Sequence, residues 1–316
     1  KILRCSTPHP SGTRGSMSHS KQNLQKYYSK KWSLRASVID ATEVVATMQA
    51  IQNTSPIATV AVGRAMVASV LMAANLKDGH EVSVYFKGDG PLRAVFAESN
   101  YEGRVRGFTP VPNLQMAYEG GDIPIGQAIG HGNLTVTRSN PLFDKNYQGT
   151  VKIQTGEIGD DVAYWLHQSF QIPSVVSIGV QVDSQSVVKG AGGIIIELLP
   201  GAGEETIKKL ESLVQGVQSI SKHFNNGNGI LGVVDEYLKP FDVELLESDH
   251  HVHYGCRCTK ERLINSLILF EEEELEDIIQ KGEALQAQCE FCGLKYEIEV
   301  DQVKNVLINL KRKSLH

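Results

Sequence analysis

The sequence of 316 residues contains no apolar run long enough to cross a bilayer. Its most apolar stretch, residues 65–76, covers twelve positions, whereas a membrane-spanning helix needs about 20. This stretch therefore predicts a helix inside a globular core, and we expect no membrane partner. Hydrophobic residues make up 41% of the chain and charged residues 21%, which is typical of an ordinary globular protein.

Acidic residues are absent from residues 1–35, which contain eight lysines and arginines. The other 23 of the 31 basic residues are outnumbered by 36 acidic residues, so the rest of the chain is negatively charged. A negatively charged body does not attract polyanions, and we therefore expect no nucleic acid partner.

The basic segment 1–32 is rich in serine, a composition that organellar transit peptides share. Vector-encoded sequence ahead of Met17 is the other interpretation. We expect the protein in the cytoplasm, or in a mitochondrion or plastid if segment 1–32 is a transit peptide. Ordered structure is expected to begin near Ser33.

Patterns typical of catalytic and nucleotide-binding sites are also absent. The glycine-rich residues 190–193 precede a predicted strand, whereas a phosphate-binding loop opens a helix and ends in Gly-Lys-Ser/Thr. We find no serine, histidine and aspartate arrangement that would indicate a hydrolase. The sequence therefore predicts a protein that is not an enzyme, without catalytic or cofactor-binding residues.

Four of the five cysteines form two close pairs near the C-terminus. Cys256 and Cys258 are alternate residues, which point the same way in an extended backbone. Cys289 and Cys292 precede Gly293 and can form a turn that directs both sulfurs to one point. Four such thiolates are the ligands of a tetrahedral structural zinc site. We therefore predict one Zn²⁺ per reduced chain; His250, His251 and His253 are the alternative ligands.

Alternating and helical patterns predict an α+β class, with a mixed core domain over residues 33–202. Helices are expected at 42–51, 57–76 and 158–169. Strands are expected at 81–87, 92–97, 104–109, 133–138, 150–154, 174–183 and 193–199. Because strands and helices do not alternate regularly, the pattern favours an α+β arrangement.

Segment 203–249 has apolar residues at helical spacing, together with nine acidic and four basic residues. It predicts a metastable helical linker that docks weakly on the core. Residues 250–316 form a small module, in which Thr259 and Asp301 are predicted to cap helices. A module of this size has a small core, so we expect its metal to supply much of its stability.

Five short motifs follow one another along residues 33–316. The last is Cys256-Arg257-Cys258 with Cys289-Glu290-Phe291-Cys292. The others are Thr54-Ser55-Pro56-Ile57-Ala58-Thr59, Phe86-Lys87-Gly88-Asp89-Gly90-Pro91-Leu92, Thr155-Gly156-Glu157-Ile158, and Ala191-Gly192-Gly193 followed by Leu198-Leu199-Pro200-Gly201. In this combination and order they resemble the family of 33 kDa heat-shock chaperones.

The resemblance implies an ATP-independent chaperone that holds unfolded client proteins and is inactive while reduced and zinc-bound. It also implies that oxidants and heat activate the protein, with disulfides between Cys256 and Cys258 and between Cys289 and Cys292. Zinc release, unfolding of the linker 203–249 and formation of a homodimer accompany oxidation in this family. Bridges within each pair would close only tiny loops, so no covalent link would replace the metal across the thirty intervening residues.

Three other interpretations remain open at this point. A zinc-ribbon protein that binds nucleic acid is disfavoured by twelve acidic and nine basic residues from position 250 onward. A thiol oxidoreductase would place its C-x-x-C at the start of a helix, whereas a one-faced strand is predicted after Cys292. A structural zinc site without a redox role is the third.

Overall fold

The computed structural model describes residues 23–77, 79–117, 123–140, 145–216, 219–246 and 251–313. Its strands are β1 (Leu24–Ser29), β2 (Leu34–Asp40), β3 (Glu81–Gly88), β4 (Ala94–Asn100), β5 (Arg104–Phe108), β6 (Gly132–Asn140), β7 (Lys145–Lys152), β8 (Ser174–Val182), β9 (Val188–Leu198), β10 (Glu244–Leu246), β11 (His253–Tyr254), β12 (Leu285–Gln288) and β13 (Lys295–Ile298). Its α-helices are α1 (Thr42–Gln52), α2 (Pro56–Ala73), α3 (Ile125–Ile129), α4 (Gly159–Phe170), α5 (Glu204–Gly216), α6 (Ser221–Asn225), α7 (Gly229–Val233), α8 (Lys260–Ser266), α9 (Glu272–Lys281) and α10 (Val300–Lys313). The α+β class expected from the sequence is confirmed.

Two large sheets form the core. One has five strands in the order β10-β1-β2-β9-β8, and all of its neighbouring strands are antiparallel. The other has six strands in the order β11-β5-β4-β3-β6-β7, in which only the β11–β5 pair is parallel. A separate hairpin, β12–β13, belongs to the C-terminal module. The short strands β10 and β11 thus each form one edge of a large sheet, and β8 and β7 form the opposite edges.

Helix α2 occupies the space between the two sheets. Ser55 caps it by accepting a hydrogen bond from the backbone N–H of Ala58, and Pro56 stands at the first helical position. Its side chains are buried on nearly every side among residues of both sheets. The helix is longer than the twelve-residue stretch noted in the sequence, and its 18 residues could cross a membrane by length and composition, which corrects that expectation. However, 89% of α2 is buried inside the protein. The expected core helix is therefore confirmed.

Ordered structure begins earlier than the sequence predicted. Segment 24–29, assigned to the basic extension 1–32, forms β1 and pairs with β2 over six residues. Leu24, Tyr27 and Ser29 of this strand are buried. The prediction that order begins near Ser33 is wrong. The basic composition of this segment suggested an extension, whereas the burial of β1 depends on partners elsewhere in the sequence. Residues 1–22 lie outside the described part of the chain.

Strand β9 also begins earlier than predicted and includes residues 190–193. Glycine is required here by close packing, because a Cβ at Gly192 would overlap the Phe224 ring of α6 and the backbone carbonyl of Ile39. The phosphate-loop interpretation stays excluded, since these glycines lie within a strand.

The linker covers one face of the five-stranded sheet. It consists of α5, α6, α7, a π-helical turn (Val234–Leu238), a 3₁₀ turn (Lys239–Phe241) and β10. Its buried apolar side chains pack against those of β2 and β9; they are Leu210, Ile220, Phe224, Ile230, Val233, Tyr237, Leu238 and Phe241. These residues are spread over several short helices, and their common buried face arises only on the sheet. Weak docking of the linker stays a prediction.

The C-terminal module contains α8, α9, the β12–β13 hairpin and α10 around a small apolar core. Thr259 caps α8, as predicted, by accepting a hydrogen bond of 3.2 Å from the backbone N–H of Arg262. The predicted cap at Asp301 is wrong, since α10 begins at Val300 and Asp301 lies in its first turn.

Candidate metal centre

The four cysteines of the C-terminal module converge on one point. Their sulfur atoms all lie within 4.8 Å of one another. The Sγ atoms of Cys256 and Cys289 are 3.7 Å apart, and those of Cys258 and Cys292 are 3.2 Å apart. A tetrahedral zinc site with Zn–S bonds of about 2.3 Å requires sulfurs roughly 3.8 Å apart. The donor set and its spacing therefore fit a Zn²⁺ ion.

Each cysteine pair is positioned by a strand. Cys256 and Cys258 follow β11 and precede α8, so the register of β11 on β5 determines where this pair lies. Cys289 and Cys292 lie in the turn between β12 and β13, closed by a hydrogen bond of 2.8 Å from Gly293 N to Cys289 O. Gly293 has a φ of 70°, which favours glycine. The turn expected from the sequence is confirmed.

The cysteines differ in their electrostatic surroundings. Burial opposes ionisation of Cys256, but hydrogen bonds from the backbone of Cys258 and from Arg106 outweigh it and lower the pKa of Cys256 to about 7. Arg106 Nη1 lies 3.4 Å from Cys256 Sγ. Burial raises the pKa of the Cys289 and Cys292 thiols. Thiolate character is thus favoured at the cysteine that contacts the core.

The loop between Cys289 and Cys292 is seated on the six-stranded sheet. The Phe291 ring packs against Phe108, with ring centroids 4.9 Å apart, and against Phe96 at 5.9 Å. The Arg106 guanidinium lies 3.9 Å from the centroid of the same ring. The Arg106 guanidinium therefore contacts both the Cys256 sulfur and the Phe291 ring, which lies between the two cysteines of the second pair.

The backbone of this loop is also bonded to the core. The Phe291 carbonyl accepts hydrogen bonds from Gln52 Nε2, at 3.1 Å, and from the Tyr254 hydroxyl. Gln52 Nε2 further contacts the Gly107 carbonyl at 2.7 Å. Helix α1 and strand β11 thus hold the same carbonyl from two directions.

A charged network surrounds this contact. Arg106 lies 2.8 Å from the Glu98 carboxylate, and Arg104 lies 3.0 Å from that of Glu81. Arg257, between the first two cysteines, lies 2.7 Å from Glu81. Arg257 also lies 3.9 Å from the Glu98 carboxylate. The first cysteine pair is therefore tied to β3 and β4 by the ion pairs of Arg257, in addition to its strand pairing.

The alternative histidine ligands find no support in the described residues. His251 and His253 lie outside the group that could hold a metal, which contains the four cysteines alone. His250 lies outside the described part of the chain. Phe291 and Arg106, in contrast, were missed from the sequence; an aromatic residue inside the C-x-x-C was the available signal.

Comparison with known proteins agrees with this architecture. The family model described as Hsp33 protein matches residues 22–299. The chain is 39% identical over 266 residues to the 33 kDa chaperonin of Thermodesulfovibrio yellowstonii, covering 84% of this chain and 92% of that protein. It is 35% identical over 273 residues to the 33 kDa chaperonin of Desulforamulus reducens, covering 86% and 92%.

A solved structure shows the same fold. The crystal structure of the 33 kDa chaperonin of Thermotoga maritima matches with a TM-score of 0.78 and 29% sequence identity. The match covers 92% of this chain and 99% of that one. The resemblance inferred from the motifs is confirmed, and the chain belongs to the Hsp33 family of chaperones.

Proposed function

We propose that this protein is an ATP-independent holdase, which binds unfolding proteins and prevents their aggregation under oxidative stress and heat. The observation that supports this best is the geometry of the cysteine cluster. Four thiols from two segments converge, and the loop between Cys289 and Cys292 is seated against the core through Phe291. A change at the cysteines therefore reaches the core by direct contact.

In the reduced, inactive form, we infer that the four cysteines hold one Zn²⁺. The bound ion would join two segments separated by thirty residues, and in small zinc modules such binding contributes about 10–16 kcal/mol to folding. Among the described residues, the module's own core has few buried apolar side chains; they are Leu267, Leu275, Ile298, Val303 and Leu307. Such a small core should not stay folded once the metal is lost.

Oxidation is proposed to form one disulfide within each pair, Cys256–Cys258 and Cys289–Cys292. As each disulfide forms, its two thiols give two electrons and two protons to one molecule of hydrogen peroxide, whose O–O bond breaks to yield two molecules of water. Two molecules of peroxide therefore oxidise the four thiols. The four sulfurs are then no longer thiolates, and they can no longer bind the metal. Neither bridge crosses from one segment to the other, and the module is left without a link in place of the metal.

Unfolding of the module should then loosen the linker at a defined contact. Val252 follows β10 and precedes Cys256 in the sequence, and its side chain is buried in the core. Its backbone carbonyl accepts a hydrogen bond of 2.8 Å from Asn23 Nδ2, and its backbone N–H donates one of 2.9 Å to Asn23 Oδ1. Asn23 immediately precedes β1, on which β10 lies. Loss of this contact leaves the C-terminal end of the linker held by the short β10–β1 pairing, and heat completes its detachment. The active form is proposed to be a homodimer in the cytoplasm.

The test is zinc stoichiometry before and after peroxide treatment at raised temperature, measured beside suppression of client aggregation. One zinc per reduced chain, its release on oxidation and a parallel gain in activity are expected. Peptide mapping should find disulfides within each pair. A crosswise bridge between Cys256 and Cys289, with the module still folded, would refute the proposed switch.

The same samples separate the alternative functions. Turnover in insulin reduction would indicate a thiol oxidoreductase, although Cys292 is followed by β13 and not by a helix. Retardation of nucleic acid at physiological salt would indicate a zinc ribbon. Zinc content that is unaffected by peroxide would indicate a structural zinc site without a redox role.

A further inference from the structure

Strand β1 has a neighbour on its outer side that belongs to the linker. β10 pairs with it over three residues, Lys26 with Leu246, Tyr27 with Leu245 and Tyr28 with Glu244. All three β10 side chains are exposed; Leu245 retains 58% of its accessible surface and Leu246 retains 45%. Because these side chains bury so little, β10 is held on β1 chiefly by backbone hydrogen bonds.

The backbone groups that face β10 can be identified. Asp40 N donates a hydrogen bond of 2.9 Å to Asn23 O, so the backbone of residue 23 faces β2. Backbone groups alternate in direction along an antiparallel strand. The N–H and C=O groups of Lys26 and Tyr28 therefore point outward to β10, and they lose their partners whenever the linker leaves.

The bare edge of β1 would border an apolar surface. Tyr27 of β1 belongs to the buried cluster between the linker and the sheet, beside Leu34 and Val38 of β2. β1 also keeps a regular register with β2 along its whole length. At the opposite end of this sheet, β8 has a register shift between Gln181 and Val182, a feature that discourages the addition of strands.

We propose that the outer edge of β1 is a client-binding site, at which an extended segment of an unfolded polypeptide replaces β10 by strand addition. Backbone pairing provides affinity without requiring a particular sequence, as a chaperone with many clients needs. The adjacent apolar face would receive alternate client side chains. This inference rests on the proposed function, since it requires that the linker detach.

A substitution that removes one outward N–H tests the proposal. Lys26→Pro removes a donor to the added strand, whereas Lys26→Thr changes the same side chain and keeps the donor. After oxidation, Lys26→Pro is expected to bind reduced, carboxymethylated α-lactalbumin, a permanently unfolded chain, on the order of tenfold more weakly than Lys26→Thr. Both variants should contain one zinc when reduced and release it with peroxide.

The result also distinguishes competing explanations. If Lys26→Pro only loosened the linker, its activity in the reduced form would rise and its oxidised affinity would match that of Lys26→Thr, which would overturn the proposal. If Lys26→Pro changed dimerisation and left client affinity unchanged, the proposal would also be overturned. The outer edge of β1 would then be a contact with a second copy of the chain. If wild-type protein releases zinc but never binds the unfolded chain, the proposed function itself fails.

A second measurement serves if Lys26→Pro does not fold. Hydrogen exchange at the amides of Lys26 and Tyr28 is compared in oxidised wild-type protein with and without the carboxymethylated chain. Slower exchange at both amides in the complex is expected. Exchange that is unchanged at these amides, while client binding is observed, would show that clients bind elsewhere.

Discussion

Removal of the Phe291 ring is expected to free the cysteine module from the core while leaving its four thiols in place. The ring is half-buried against Phe96, Phe108 and the Arg106 guanidinium. Truncation of a fully buried phenylalanine to alanine costs about 3–5 kcal/mol, and half of that burial suggests roughly 2 kcal/mol. A loss of ~2 kcal/mol lowers the ratio of docked to undocked module about 30-fold.

The consequence of Phe291→Ala should appear in the reduced protein. Backbone amides that join β11 to the core, such as His253 N to Gly103 O at 2.9 Å, should exchange faster with solvent. Half-maximal activation of holdase activity should require a lower peroxide concentration than in the wild-type protein, because the undocked module exposes its cysteines more often. Zinc content before oxidation should stay at one per chain.

Leu294→Ala is the matched control. Leu294 follows the second cysteine pair closely, and 57% of its surface is exposed, so its truncation removes apolar surface without removing a core contact. Equal amide exchange and equal peroxide sensitivity in the two variants would refute the reasoning that Phe291 transmits the state of the cysteines to the core.

Other expected outcomes are as follows. Cys258→Ser should abolish zinc retention under reducing conditions and leave the module partly unfolded, whereas Cys5→Ser should retain one zinc; metal analysis of both checks this, and normal zinc in the first would contradict the ligand assignment. Gly192→Ala should destabilise the packing of α6 on β9 by about 1–3 kcal/mol in urea unfolding, and Gly203→Ala, which has no atom near its added methyl, should not. Lys209→Met removes a cation 3.9 Å from a tryptophan ring and a hydrogen bond of 2.6 Å to a linker carbonyl; a loss of about 1–2 kcal/mol should lower the temperature at which oxidised protein becomes active, and an unchanged activation temperature would contradict the role of this contact.

The cluster of four cysteines that could hold a metal was predictable because its chemistry is local in the sequence. Only one or two residues separate the two cysteines of each pair, and a set of four clustered thiolates is typical of a structural zinc site. The Thr259 cap and the left-handed Gly282 at the end of α9 are local signals of the same kind. Most core strands were also predictable, from alternating patterns such as that of β3 and from the largely apolar segments of β8 and β9.

The contacts that connect the module with the core were not predictable. Phe108 and Phe291 are far apart in the sequence, and no periodicity shows that their rings meet. Strands β10 and β11 contain three and two residues, and only the pairing partner defines them. The shared apolar face of the linker was not predictable for a related reason, because the linker's charge is visible in the composition while that face depends on the sheet beneath it.

The charged network around Arg106 bears on how the protein responds to ionic strength. Arg106 and Glu98 retain only 15% and 20% of their side-chain exposure, and Arg104 and Glu81 are similarly enclosed. Mobile ions screen such enclosed pairs far less than they screen pairs at the surface. The attachment of the module to the core should therefore persist when a cell's internal salt rises, so that osmotic stress alone does not release it.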